Sequence, residues 1–235
     1  MNSIDEQMQN IYGGDIKLFK QVEFFRNVPE REDGISNELS TAIKKYKYCI
    51  VLLPAQVYVE KTGFYYWAYD ELTTFLERSL SLAKSMTDVL FIVKGKKGEL
   101  RLMPQWFHDL DQTYQNIFVI HCDKPRELEK NRFEDLVGVA DLSISMALTS
   151  TTVWQSIARN KPVITINRTN YPSILAKYKG YESSLSELEQ TISYWRSLSE
   201  LEVLASTERM KSDFNIGESR GLDEIALDLQ KMLLD

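Results

Sequence analysis

The chain is poor in the residues that most often carry chemistry. Only two histidines and two cysteines occur among 235 residues. Cys49 and Cys122 form no metal-spacing motif, and neither His108 nor His121 has a ligating neighbour at such a spacing. A metal site is therefore not expected. Nor can two histidines complete a serine–histidine–acid arrangement where no nucleophile elbow is present. Both cysteines lie in or beside apolar runs, and are expected as reduced, half-buried thiols of a cytoplasmic protein. The sequon Asn167-Arg168-Thr169 would then go unread.

Other absences narrow the field further. Lys and Arg number 28 against 34 Asp and Glu, a net charge of −6, which disfavours nucleic acid as a partner because such surfaces are basic. No apolar run approaches the ~20 residues of a membrane span, and the N-terminus MNSIDEQMQN lacks a signal-peptide pattern. Walker loops and GxGxxG fingerprints are missing. There is no internal repeat, low-complexity tract or linker.

What remains is an ordinary globular composition, 43% hydrophobic and 26% charged. Residues 1–45 read as irregular, with a loop at NVPEREDG and an edge strand conceivable at KQVEFFRNV. From residue 46 the pattern turns regular. YCIVLLP (48–54), DVLFIVK (88–94), NIFVIHC (116–122), DLSISM (141–146) and KPVITI (161–166) read as buried parallel strands. Between them, 66–86 places Trp67, Leu72, Phe75, Leu76, Leu80 and Ala83 on one helical stripe. RFEDLVGVA (132–140) and TTVWQSIARN (151–160) read as shorter helices. SLSELEQTISYWRSL (184–198) and LDEIALDLQKMLL (222–234) are amphipathic. Strands alternating with helices predict an α/β fold: one Rossmann-like, doubly wound parallel sheet over 46–235, with helices on both faces.

In such sheets ligands bind beyond the carboxyl ends of the strands. After the fourth strand stand Thr149, Ser150, Thr151 and Thr152, then a helix. One hydroxyl would suffice as a cap, and threonine is a mediocre helix former. Four in a row at a helix N-terminus point to a bound anion, held by unpaired N–H groups and the helix dipole. Lys94 ends the second strand in VKGKKGE, either as a point charge for phosphate or as part of a solvated basic tip. His121, in HCDKP after the third strand, is either a ligand-side hydrogen-bonding or stacking residue or a satisfied buried histidine. After the first strand, Gln56, Tyr58 and Tyr65 are candidates to face a sugar or base, with core packing as the alternative for the aromatic rings.

The stretch FEDLVGVADLSISMALTSTTVWQSIARNKPVITIN resembles the nucleotide-sugar-binding half of GT-B glycosyltransferases, most of all those of bacterial polysaccharide biosynthesis. The segments beginning at 48, 88 and 178 resemble the opening strand, the lysine-bearing strand and the terminal element of that half, so the likeness spans 46 to about 200. It implies donor diphosphate on Thr149–Thr152, phosphate near Lys94, and the base near His121 and Asp123. The same motifs serve glycerophosphotransferases and sugar-nucleotide epimerases. Asp109-Leu110-Asp111 resembles the metal-binding acidic pair of another transferase class, but follows no apolar strand and is rejected. Gln155 stands where many retaining members carry a glutamate.

The expected function is nucleotide-sugar binding within a glycosyltransferase, with no cofactor and no metal. Catalytic residues are not identifiable. An acceptor-binding domain or chain would have to be supplied separately, because 45 irregular residues cannot provide one. The contrasting expectation is a non-catalytic binding or assembly module that kept the fold.

Overall fold

A computed structural model of the chain describes residues 34–54, 69–95, 105–120, 130–146, 151–167, 173–214 and 216. Its centre is a sheet of six strands: β1 (Tyr48–Leu53), β2 (Val89–Lys94), β3 (Ile117–Ile120), β4 (Leu142–Ser145), β5 (Val163–Ile166) and β6 (Glu182–Ser183). Their order is β3-β2-β1-β4-β5-β6, and every neighbouring pair is parallel. The apolar runs are continuous because helices cover both faces, so no strand alternates with solvent.

Side chains of β1 show the two faces. Ile50 and Leu52 join one buried cluster, together with Leu72, Phe75 and Leu76 of α2 (Tyr69–Ser85). Cys49, Val51 and Leu53 join another, with Leu39 of α1 (Asn37–Ile43) and Phe133, Leu136 and Val137 of α5 (Phe133–Val139). α6 (Thr151–Ala158) packs on β4, β5 and α5. It therefore lies on the α5 face, opposite α2, as right-handed crossovers running outward from β1 and β4 require.

The amino edge of the sheet is tied by two side chains. The Asn116 amide donates to the carbonyls of Ala83, Met86 and Val89 at 2.8, 3.2 and 3.1 Å. The Asp141 carboxylate accepts the Cys49 backbone N–H at 2.7 Å. Cys49 is buried rather than half-buried, and burial, reinforced by the nearby Asp141 charge, pushes its thiol up to about 11. Cys122 lies outside the described residues.

The β6 edge is closed by aromatic rings. Trp154 of α6 meets Phe214 of α8 (Glu200–Phe214) at 5.1 Å, and Phe214 meets Tyr178 at 5.6 Å. Tyr178 meets Tyr181 at 6.2 Å, and Tyr181 meets Trp195 of α7 (Leu188–Ser197) at 5.0 Å. α7 is fastened toward α2, through Arg78 of α2 donating to the Leu185 carbonyl and pairing with Glu189. The ring chain thus joins the helices of one face to those of the other.

Three elements depart from the sequence reading. Within the segment expected to be irregular, Asn37–Ile43 forms α1, capped by Ser36 through Leu39 N–H, and its Leu39 is fully buried. The packed unit therefore begins before residue 46. α8 is an addition to the expected elements, and so is the two-residue β6. The expected strand at KQVEFFRNV and helix at 222–234 lie outside the described residues. Asp109 and Asp111 are exposed around two short helices, α3 (Gln105–His108) and α4 (Leu110–Thr113).

Candidate functional site at the carboxyl edge of the sheet

Chain connections run outward in opposite directions from β1 and β4, so the crevice between their carboxyl ends is the switch point of the sheet. Leu53 is in register with Ser145, and the Met146 N–H donates to the Leu53 carbonyl at 3.2 Å. Both strands therefore end at the same height. Four residues, 147–150, separate Met146 from the start of α6 at Thr151.

α6 carries no acidic residue in its first turn. The positive end of its dipole is left uncompensated by sequence, the condition in which an anion is stabilised there. Thr152 is half-buried, and its carbonyl accepts from the Ser156 hydroxyl at 3.0 Å. Thr149 and Ser150 lie outside the described residues, as does the side chain of Thr151. Gln155 is half-buried on the same helix.

Lys94 ends β2 and is half-buried. Val93 pairs with Leu52, so Lys94 stands level with Leu53 and Ser145. The sheet order places β1 between β2, which ends at Lys94, and β4, so two strand spacings, roughly 10 Å, separate the β2 and β4 backbones. A diphosphate lying across β1 would span that separation. Gln56, Tyr58, Tyr65, His121 and Asp123 fall outside the described residues.

One cluster at this edge has no counterpart in the sequence reading. Glu182, at the start of β6, accepts the Asn167 side-chain amide at 2.7 Å and the Ser173 backbone N–H at 3.1 Å, and also the Ser173 hydroxyl. The Asn167 backbone N–H donates to the Ser183 carbonyl at 2.9 Å. Asn167 and Ser173 are 15 and 9 positions from Glu182, beyond any helical or strand period, so the pattern leaves no local signature. Among the described residues, no group of three or more His, Cys, Asp or Glu side chains gathers to hold a metal. Nor is any described helix long and apolar enough to cross a membrane.

No family model matches the chain, and no curated protein matches it in sequence. Solved structures do match in shape. UDP-GlcNAc 2-epimerase from Neisseria meningitidis, bound to UDP-GlcNAc, aligns with TM-score 0.50 and 13% identity over 85% of this chain and 50% of that one. The fold is that of one GT-B half. The C-terminal domain of a glycosyl transferase group 1 family protein (LpcC) from Francisella tularensis gives 0.48 and 14%, covering 79% of this chain and 97% of that domain. An α,α-trehalose 6-phosphate synthase from Burkholderia multivorans gives 0.48 and 10%, covering 76% and 41%. The chain thus spans about half the length of the epimerase and less of the synthase. At such identities the likeness concerns fold alone.

Proposed function

We propose that the chain is the nucleotide-sugar-binding half of a metal-independent glycosyltransferase of bacterial polysaccharide biosynthesis, working in the cytoplasm with a separate acceptor-binding domain or chain. The observation that carries this reading is the N-terminus of α6. It opens at the switch point, lacks any acid in its first turn, and is preceded by Thr149 and Ser150. N–H and hydroxyl donors fixed there would stabilise the diphosphate of the donor as it leaves, without reorganising during transfer. Lys94, across β1, would neutralise its far end. Gln56, Tyr58, Tyr65, His121 and Asp123 are the side chains assigned to the sugar and base.

A sugar-nucleotide epimerase is the second reading, favoured by the fold match to an epimerase that was solved with UDP-GlcNAc. A panel of sugar nucleotides in a thermal-shift assay tests the shared step: at 100-fold its dissociation constant, a true ligand adds ~2.7 kcal/mol of stability. Product analysis with acceptor and partner domain supplied then separates transfer from epimerisation. A panel without any shift leaves the non-catalytic module.

A further inference from the structure

The β5–β6 end of the carboxyl edge is held by side chains rather than by a long ladder. β6 contributes two residues, and its register with β5 is confined to Thr165–Glu182 and Ile166–Ser183. Backbone pairing this short is a poor anchor on its own. Two side-chain contacts supplement it. Thr165 donates its hydroxyl to the Tyr181 carbonyl at 2.9 Å. Glu182 gathers both Asn167, directly after β5, and Ser173, six positions further along the chain. β5 is also the strand next to β4, with Thr165 level with Ser145. Looseness at Asn167 is therefore looseness beside the carboxyl end of β4, the strand that precedes the hydroxyl run assigned to phosphate.

We propose that Glu182 is a positioning residue of the donor site: it touches no donor, and it sets donor affinity by pinning the carboxyl end of β5 through Asn167 and Ser173. This rests on the nucleotide-binding reading above and deepens it. The chemistry is specific to an acceptor pair. One carboxylate oxygen takes the Asn167 amide, and the other takes the N–H and hydroxyl of Ser173. Hydrogen bonds to a carboxylate are stronger than those between neutral groups, which suits a role in preorganisation. A glutamine in place of Glu182 can keep the arrangement. Its oxygen accepts from Ser173, and its amide donates to Asn167 once the Asn167 amide has turned over. An alanine can keep none of it.

The test uses UDP and UDP-GlcNAc as probes in titration calorimetry on the full chain, comparing Glu182→Ala, Glu182→Gln, Asn167→Asp and the double variant Asn167→Asp/Glu182→Gln. Circular dichroism confirms that each variant is folded. Glu182→Ala should weaken binding roughly tenfold, within the range by which residues that do not touch a ligand modulate its site, and Glu182→Gln should restore most of it. Asn167→Asp sets two carboxylates face to face and should weaken binding alone. Affinity should recover in the double variant, where the introduced glutamine amide can donate to the new aspartate. Wild-type affinity in a folded Glu182→Ala, or an additive double variant, overturns the positioning role while leaving nucleotide binding intact. Should the wild-type chain bind neither probe, the nucleotide-binding reading falls first, and this role falls with it. Should Glu182→Ala fail to fold, the Asn167→Asp pair decides the matter by itself.

Discussion

The indole N–H of Trp195 donates to the carbonyl of Gly180 at 2.8 Å, joining α7 to the turn that leads into β6. Gly180 sits at φ +87°, a region that side chains resist. A Cβ there would come within 2.7 Å of the Tyr194 ring and 2.8 Å of Trp195 Nε1. Gly180 is thus required twice, by its backbone and by its neighbours. Gly180→Ala should cost roughly 2–5 kcal/mol in chemical denaturation, the strain and the overpacking combined. A loss under ~0.5 kcal/mol, the scale of an ordinary surface substitution, would contradict the packing described.

Asn116 makes a different kind of demand. Its one amide group serves three carbonyls and is buried. Asn116→Ala should destabilise by ~1–3 kcal/mol, because those carbonyls lose a donor where water is scarce. Asn116→Asp should cost more than Asn116→Ala, since a carboxylate only accepts. The ranking of the two midpoints checks this.

Acid should loosen α8 before the sheet. The backbone N–H and hydroxyl of Ser199 donate to Glu202 at 2.8 and 2.7 Å, and Lys211 donates to Glu208 at 3.0 Å. These contacts, led by the Ser199 backbone for Glu202 and by Lys211 for Glu208, hold both carboxyls below their ordinary 4.5. A depressed folded value means the contribution is present above the unfolded value and is lost as pH falls through the lower folded one. Amide protection factors in 200–214 should therefore fall below about pH 4.5 ahead of those in β1 and β2. Glu202→Gln should flatten that dependence.

Cys49 should be inert in the native state. Its thiol is raised to about 11 by burial and by Asp141, and only the thiolate is nucleophilic. Alkylation at neutral pH, with the modified peptide located by mass spectrometry, should find Cys49 unmodified until denaturant is added.

How far the sequence foretold all this varied with the kind of signal. Strands β1 to β5 were legible because parallel strands buried on both faces must be apolar throughout, as in Tyr48–Leu53 and Val89–Lys94. α8 was not, for a physical reason. Its buried stripe is Thr207, Met210 and Phe214, diluted by a threonine, while Leu201 is 78% exposed and draws the apolar pattern off the true face. The signal that could have found it was Ser199-Glu200-Leu201-Glu202, a capping box. β6 offered two residues, too few for any period. At the site, the helix opening at Thr151 was foreseen, and so was the lysine at a strand end. That Lys94 lies across β1 followed from sheet order, which no local pattern encodes. The Glu182 cluster depends on contacts between distant positions and was invisible for the same reason.

The central claim is that the hydroxyl run Thr149–Thr152, at the start of α6, holds the phosphates of a nucleotide-sugar donor, with Lys94 on the far side of β1. Titration calorimetry of the wild-type chain, Ser150→Ala/Thr151→Ala and Lys94→Ala with UDP-sugars tests it most directly. The account predicts measurable wild-type binding, a loss of ~1–3 kcal/mol in the double variant, and a loss in Lys94→Ala that shrinks as salt rises. Equal affinity in all three folded proteins, or a wild type that binds no nucleotide at all, would show that the hydroxyls only cap a helix.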